Sequence, residues 1–191
     1  DVAPPETADP SALSRVIVDA TAEMSATAIE LSKMSIKLDD TTFTGALSIP
    51  SSDTGAYQFE LVGDSIDLAR YMEPASESDI AAETEAVPVE IPVDLIRSLN
   101  ARGKLKLARA SLGNIIFENI DVGLNSSNGR MRIFPISSGF FGGTYSGDVR
   151  IDVAGPVPVL SMNEKIADVD LARLARAMFQ QENVTGAIKG S

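Results

Sequence analysis

The sequence predicts an α+β fold that is rich in β-structure, in which consecutive antiparallel strands form a meander and short helices close its ends or cover one face. Two observations support this prediction. Apolar and polar residues alternate along much of the chain, as in 14–24 and 144–153, which is the pattern of half-buried strands. An order of strand, strand and short helix also occurs twice, in 42–72 and in 144–174. We therefore expect one β-rich domain over 13–191 with an internal repeat.

Matching residues mark this repeat. Thr-Phe-Thr-Gly at 42–45 corresponds to Thr-Tyr-Ser-Gly at 144–147, and Asp-Leu-Ala-Arg occurs at 67–70 and again at 170–173. Self-similarity of this kind is typical of arrays whose units bury their faces against their neighbours. The two segments are therefore predicted to superpose.

Each Asp-Leu-Ala-Arg sequence is predicted to begin a short helix. Ser65 and Asp168 occupy equivalent positions and are predicted to be the N-caps. Asp67 and Asp170 would then lie in the first turn, where the helix dipole favours negative charge. The second helix is predicted to run to about residue 181, with an apolar stripe formed by Leu171, Leu174, Ala175 and Met178.

The remaining elements follow in chain order. Residues 1–12 contain three prolines and three acids, and this composition predicts an extended lead-in. Turns are predicted at 39–41 and 125–129. Strands are predicted from alternation at 14–24, 34–38, 42–49, 57–61, 104–108, 115–124, 130–136 and 144–153, and residues 27–31 either continue the first of these strands or begin the second.

Residues 73–92 contain six acids and no basic residue. This composition is typical of a solvated insert or linker, and the functional alternative is an acidic docking segment. Pro92 is placed to begin a brief helix over 93–100. The chain begins without Met and stops as a strand is starting, so we expect it to be part of a longer parent chain.

The composition disfavours several classes of function. A net charge of −11 argues against nucleic-acid binding, which needs basic residues, and against attraction to anionic lipid headgroups. The chain has no Cys and no His, which removes cysteine-based metal sites and the commonest general base. No pair of residues has the spacing of a catalytic or metal site. The sequence therefore predicts a non-catalytic module with no cofactor.

Several stretches together resemble the C-terminal part of the AsmA family. They are YxFELxGDxIDLxRYM at 57–72, NGRMRI at 128–133, FFGGTYSGDVRIDV at 140–153 and VDLARLxRAM at 169–178. The resemblance implies a long curved antiparallel sheet, related to the sheets of bridge-like lipid-transfer proteins. It also implies a periplasmic location in a parent protein anchored in the inner membrane, with a role in outer-membrane assembly and phospholipid transport. Phospholipid acyl chains, the rest of the parent chain and other envelope proteins are the partners it implies.

Two hypotheses therefore remain for the apolar face of the predicted sheet. The face is either part of an open lipid groove, or it is sealed under the helix at 171–178 in a structural or partner-docking domain. The first hypothesis predicts a continuous uncovered apolar stripe. Its candidate lipid-facing residues are Phe43, Leu47, Ile49, Tyr145, Val149, Ile151 and Val153.

Overall fold

The structure, a computed structural model, describes residues 7–72, 91–179 and 187–188. Nine strands form one open sheet, and their order in the sheet is their order in the chain. This confirms the β-rich α+β class. The strands are β1 (Val16–Met24), β2 (Ala28–Leu38), β3 (Thr41–Pro50), β4 (Tyr57–Asp67), β5 (Ala101–Leu112), β6 (Ile115–Ser127), β7 (Arg130–Phe140), β8 (Gly143–Asp152) and β9 (Val159–Ala167).

Within the described part of the chain, three short helical segments accompany the sheet. A 3₁₀ helix, Leu68–Tyr71, follows β4, and α1 (Val93–Ser98) precedes β5. The third segment is α2 (Leu171–Phe179), which follows the two-residue strand β10 (Val169–Asp170). This strand pairs in antiparallel fashion with β11 (Ala187–Ile188).

Adjacent strands of the sheet are antiparallel except for β4 and β5, which are parallel. The prediction of a uniformly antiparallel meander is therefore wrong at this junction. Tyr57 pairs with Ala101 and Asp67 with Ser111, so the chain leaves one end of β4 and re-enters β5 at the other. A parallel pair requires such a crossover connection, whereas an antiparallel pair closes with a short turn.

Both copies of the internal repeat contain two paired strands followed by a helix, and in the second copy the two-residue strand β10 precedes the helix. In the first copy β3 pairs with β4, and Gly45 lies opposite Leu61. In the second, β8 pairs with β9, and Gly147 lies opposite Glu164. The repeated glycine therefore has the same place in each hairpin.

The predicted helix caps are shifted by two residues. Asp67, not Ser65, caps the 3₁₀ helix, because its carboxylate accepts a hydrogen bond of 3.2 Å from the backbone N–H of Ala69. Asp170, not Asp168, has this role in the second copy and accepts bonds from two backbone N–H groups of α2 at 2.9 and 3.2 Å. Ser65 lies within β4, and Asp168 has a positive φ of 58°. The Asp of each Asp-Leu-Ala-Arg sequence is therefore the cap itself.

The described part of the predicted lead-in, residues 7–12, forms turns and is not extended. Asp9 forms an ion pair of 2.7 Å with Arg70 of the 3₁₀ helix. Further along, Asp39 in the β2–β3 turn accepts bonds from the backbone N–H groups of Leu13 and Arg15 at 2.8 and 3.0 Å. These bonds fix the segment against the end of the sheet. The acidic insert lies outside the described residues except for its last two positions, Ile91 and Pro92.

Most of the fully buried residues lie near the two ends of the strands. At one end, Ile96 of α1 is 2% exposed and lies with Ala101, Ser126 and Val153. At the other end, near α2, the buried residues are Ala110, Ser138, Val169 and Ala175. Helices thus pack at both ends of the strands. Of the two predicted arrangements, helices closing the ends of the sheet or helices covering one face, the first is observed.

Candidate functional site

One face of the sheet carries an unbroken row of apolar residues across all nine strands. Residues paired laterally between strands lie on the same face, so the pairing register identifies the row. At about 4.8 Å per strand, the row is roughly 40 Å wide. It consists of Ala22, Leu31, Leu47, Phe59, Gly103, Leu124, Ile133, Val149 and Met162.

Parallel rows extend this surface, which we call the apolar face. The next row toward α2 contains Leu61, Leu105, Val122 and Ile136, and the next row toward α1 contains Tyr57, Met131, Ile151 and Leu160. At the two edges of the sheet, Met24 on β1 is 82% exposed and Met162 on β9 is 60% exposed. The apolar face therefore reaches solvent at both edges.

The described helices meet the sheet at the ends of the strands. Helix α1 packs against β6 and β7, and Arg97 donates a hydrogen bond of 3.1 Å to the carbonyl of Val153. Helix α2 lies near the opposite end, where Asn114 of the β5–β6 turn donates to the carbonyl of Ala177 at 3.4 Å. In the middle of the face, side chains such as Leu124 and Val149 keep intermediate exposure.

Six of the seven residues predicted to face lipid lie on this face with intermediate exposure. They are Phe43, Leu47, Ile49, Tyr145, Val149 and Ile151. Val153 differs, because it is completely buried beside α1. Its inclusion among the lipid-facing residues is therefore wrong. The sequence pattern could not reveal this, since Val153 continues the alternation of β8 beyond the point where α1 covers the sheet.

Glycines on the apolar face let large side chains lie flat on the sheet. A Cβ added at Gly63 would collide with Phe43 and Leu107, and one added at Gly103 would collide with the ring of Phe59. Each glycine is thus covered by a neighbouring side chain. The side chains of Phe43 and Phe59 therefore lie close against the backbone of the neighbouring strand.

The carboxylate of Glu164 lies on the apolar face. Glu164 of β9 accepts a hydrogen bond from the hydroxyl of Tyr145, and its carboxylate lies over Gly147. Burial and this bond raise the pKa of Tyr145 to about 12. The pair satisfies one carboxylate oxygen of Glu164 and leaves the other without a hydrogen-bond partner among the described residues.

The opposite face, which we call the polar face, carries a row of hydrophilic residues across the same nine strands. A cavity of about 600 Å³ lies on this face, and its lining includes Arg102, Lys104, Asn125, Arg132 and Phe134. A second cavity of about 520 Å³ shares Arg132 with it. The row consists of Glu23, Glu30, Ser48, Gln58, Arg102, Asn125, Arg132, Arg150 and Ser161.

Arg132 and Arg150 lie directly opposite each other on β7 and β8, an arrangement that is normally repulsive. Asp148 offsets this repulsion, because its carboxylate bonds both guanidinium groups at 2.8 Å. Hydrogen bonds from these two arginines hold the pKa of Asp148 well below its usual range. The carboxylate therefore stays charged and the two arginines stay together.

Sequence reasoning missed the polar face as a site because it used only the total charge. The signal was present in the alternation: Arg102, Lys104 and Lys106 occupy every second position of β5, as do Arg130 and Arg132 of β7. Residues at every second position share a face of a strand. Opposite charges elsewhere in the chain cancelled this local excess in the sum.

No protein-family model, curated protein or solved structure matches this chain. Among the described residues, none of the helices has the length and apolar character needed to cross a membrane. The same part of the chain has no group of three or more acidic side chains placed to hold a metal ion. The case for a function therefore depends on the two faces of the sheet.

Proposed function

We propose that this chain is a non-catalytic, lipid-handling module of a bacterial cell-envelope protein, in which the apolar face lies against phospholipid acyl chains. The observation that carries the proposal is the apolar row across nine strands, whose central side chains remain partly exposed. Exposed apolar patches of this extent mark binding surfaces more often than ordinary solvated surface.

The chemistry of the face suits an acyl chain. Leu, Ile, Val, Met and Phe side chains supply dispersion contacts and no hydrogen-bonding groups, which matches a ligand made of methylenes. Burial contributes about 0.8 kcal/mol per methylene, so ten methylenes laid on the row would contribute on the order of 8 kcal/mol before ordering costs. Because a flat apolar surface makes no directional polar contacts, we expect it to bind acyl chains in general and not to select one particular lipid.

The resemblance to the AsmA family gives the proposal its cellular setting. It suggests a periplasmic module of a longer protein anchored in the inner membrane, working in outer-membrane assembly and phospholipid transport. Other envelope proteins and the remainder of the parent chain are the proposed partners.

The second candidate is a structural or partner-docking domain of such a protein, with no lipid site. The free edges of β1 and β9 favour it, because an edge strand presents unpaired backbone groups to which another strand can add. Every residue of β1 is exposed. In this alternative the apolar face is covered by protein in the complete assembly.

A charge on each face separates the two candidates. Val149→Asp places a carboxylate in the middle of the apolar row, and Val62→Asp makes the same change on the polar face, where Val62 is 54% exposed. Both variants would be tested in the parent protein by photocrosslinking to a phospholipid with a photoreactive acyl chain. We expect crosslinking to fall at least tenfold in Val149→Asp, because a carboxylate cannot be desolvated cheaply, and to be unchanged in Val62→Asp.

Circular dichroism would establish that both variants are folded. A folded Val149→Asp protein with undiminished crosslinking would remove the lipid hypothesis for this face.

A further inference from the structure

We propose that the polar face contains a binding site for a small phosphorylated molecule with an aromatic or apolar body. The site is formed by Arg102, Lys104, Asn125, Arg132 and Phe134 in the cavity of about 600 Å³. It lies on the opposite side of the sheet from the apolar face and does not depend on lipid binding there.

The first observation is an excess of positive charge on the polar face of β5–β8. Asp1, Glu6 and the six acids of 73–90 account for eight of the eleven net negative charges, so the sheet itself is far less acidic than the whole chain. On the polar face of β5–β8, six cations surround three carboxylates. The cations are Arg102, Lys104, Lys106, Arg130, Arg132 and Arg150, and the carboxylates are Asp121, Asp148 and Asp152.

The two of these cations that have no ion pair among the described residues face the cavity. The three carboxylates are occupied by Lys106, Arg130 and the Arg132–Arg150 pair, in ion pairs of 2.8 to 3.3 Å. Within the described part of the chain, Arg102 and Lys104 have neither an ion pair nor a side-chain hydrogen bond. Two cations with unused donors therefore face the same cavity.

The second observation is the spacing of the donors. Arg102, Asn125 and Arg132 lie side by side on three adjacent strands, which puts the two arginine Cα atoms roughly 10 Å apart. Lys104 lies two positions along β5 from Arg102, about 7 Å away. Guanidinium groups reach several ångströms from their Cα atoms, so both can converge on one phosphate above Asn125. Its amide then supplies a neutral donor between them.

The third observation is an exposed aromatic ring beside these donors. Phe134 is 51% exposed on the polar face, and the guanidinium of Arg132 lies 4.4 Å from the centre of its ring. This stacking holds Arg132 toward the cavity while Asp148 holds its other edge. A ligand with an aromatic group next to its phosphate would bury the remaining ring surface. Inorganic phosphate would gain nothing from Phe134.

Glu30 and Glu60 also line the cavity, and Glu60 lies directly opposite Lys104 on the neighbouring strand. Glu30 bonds the hydroxyl of Ser48 at 2.7 Å. These carboxylates repel a second anionic group on the ligand, so a compact monophosphate fits the charge distribution better than a polyanion.

Isothermal titration calorimetry with phenyl phosphate, at low salt and neutral pH, tests the site. We expect saturable binding to the wild-type chain that weakens as salt increases, with inorganic phosphate binding several-fold more weakly. Arg102→Gln should weaken the binding of phenyl phosphate roughly tenfold, since it removes a charge-assisted hydrogen bond to the ligand. Among the described residues Arg102 has no ion pair, so the substitution should leave the fold unchanged. The matched control is Arg109→Gln, an exposed arginine of the same strand outside the cavity lining, and it should bind as wild type.

Phe134→Leu should reduce the affinity for phenyl phosphate to the affinity for inorganic phosphate. No binding of phenyl phosphate at about 10 mM, or equal losses in Arg102→Gln and Arg109→Gln, would overturn the proposal. Binding to vesicles containing phosphatidic acid, lost in Arg102→Gln, with no binding of phenyl phosphate, would reassign the site to lipid headgroups and also overturn it. Val149→Asp should bind phenyl phosphate normally, so failure of the lipid proposal and failure of this one are distinguishable.

Discussion

The same substitution at Val149 in β8 and at Val153 just after its end should have very different effects on stability. Val153→Asp puts a carboxylate where the native side chain is fully buried, and the Val153 carbonyl accepts a hydrogen bond from Arg97 of α1. The lost apolar burial costs about 2–3 kcal/mol, and an unpaired buried charge adds several more. Because domains are stable by only about 5–15 kcal/mol, we expect Val153→Asp to unfold the protein or to leave it marginally stable.

Val149→Asp should cost only about 1–2 kcal/mol. Val149 is partly exposed between Ile133 and Met162, so its new carboxylate keeps contact with water and only part of the apolar burial is lost. Urea denaturation followed by circular dichroism would measure both variants. Val153→Asp should also gain stability as the pH falls, since burial raises the pKa of the introduced Asp and the folded state then binds its proton more tightly.

Val153→Asn separates the charge from the change of shape. It should be more stable than Val153→Asp near neutral pH and should lack the gain at acid pH. If Val149→Asp loses as much stability as Val153→Asp, the middle of the apolar face is covered by protein. That result would contradict an open face and favour the docking domain.

Three further predictions concern the frame that supports these faces. Gly45→Ala should destabilise the protein by roughly 2–4 kcal/mol in urea denaturation, since Gly45 has a φ of 155° and a Cβ there would collide with the backbone of Glu60; Gly155→Ala, which meets nothing, should be neutral. Asp39→Asn should flatten the acid limb of a stability–pH curve. Burial raises the pKa of Asp39, but its hydrogen bonds outweigh burial and hold the pKa below 3.8. The charged carboxylate therefore stabilises the wild type, and this stabilisation is lost as the pH falls through the pKa of the folded state. Tyr145→Phe should remove the loss of stability that the wild type shows as pH rises from 10.0 to about 12, because the raised pKa of Tyr145 stabilises the fold only while the hydroxyl is protonated.

Local patterns predicted the strands and turns well because both depend on neighbouring residues. Alternation located eight of the nine strands, although several of them, including β4, β5 and β7, extend beyond their predicted bounds. The Asn128-Gly129 turn was expected, since both residues adopt positive φ, which Asn and Gly tolerate. The parallel pairing of β4 and β5 was not expected, because periodicity does not determine the end of the sheet at which the chain returns.

The helix caps show a similar limit. A polar residue just before an apolar run marks a cap only to within a residue or two, and Ser65 and Asp67 both satisfy that condition. The structure decides between them by the backbone. The chain remains in β4 through Asp67, so the first N–H groups without partners belong to the residues after it.

The distribution of buried residues reconciles the two hypotheses that the sequence left open. The sequence leaves a sealed core and an open groove as alternatives for the whole face. In the structure, the buried residues lie mainly at the strand ends, and the central row is partly exposed. Val153 belongs to the first environment and Val149 to the second, although they are only four positions apart in the chain. Closure at the ends can therefore supply packing without covering the centre. In such a sheet, stability depends mainly on the residues at the strand ends, whereas the proposed lipid contact depends on the central row, so a substitution in the central row tests the proposal in a protein that still folds.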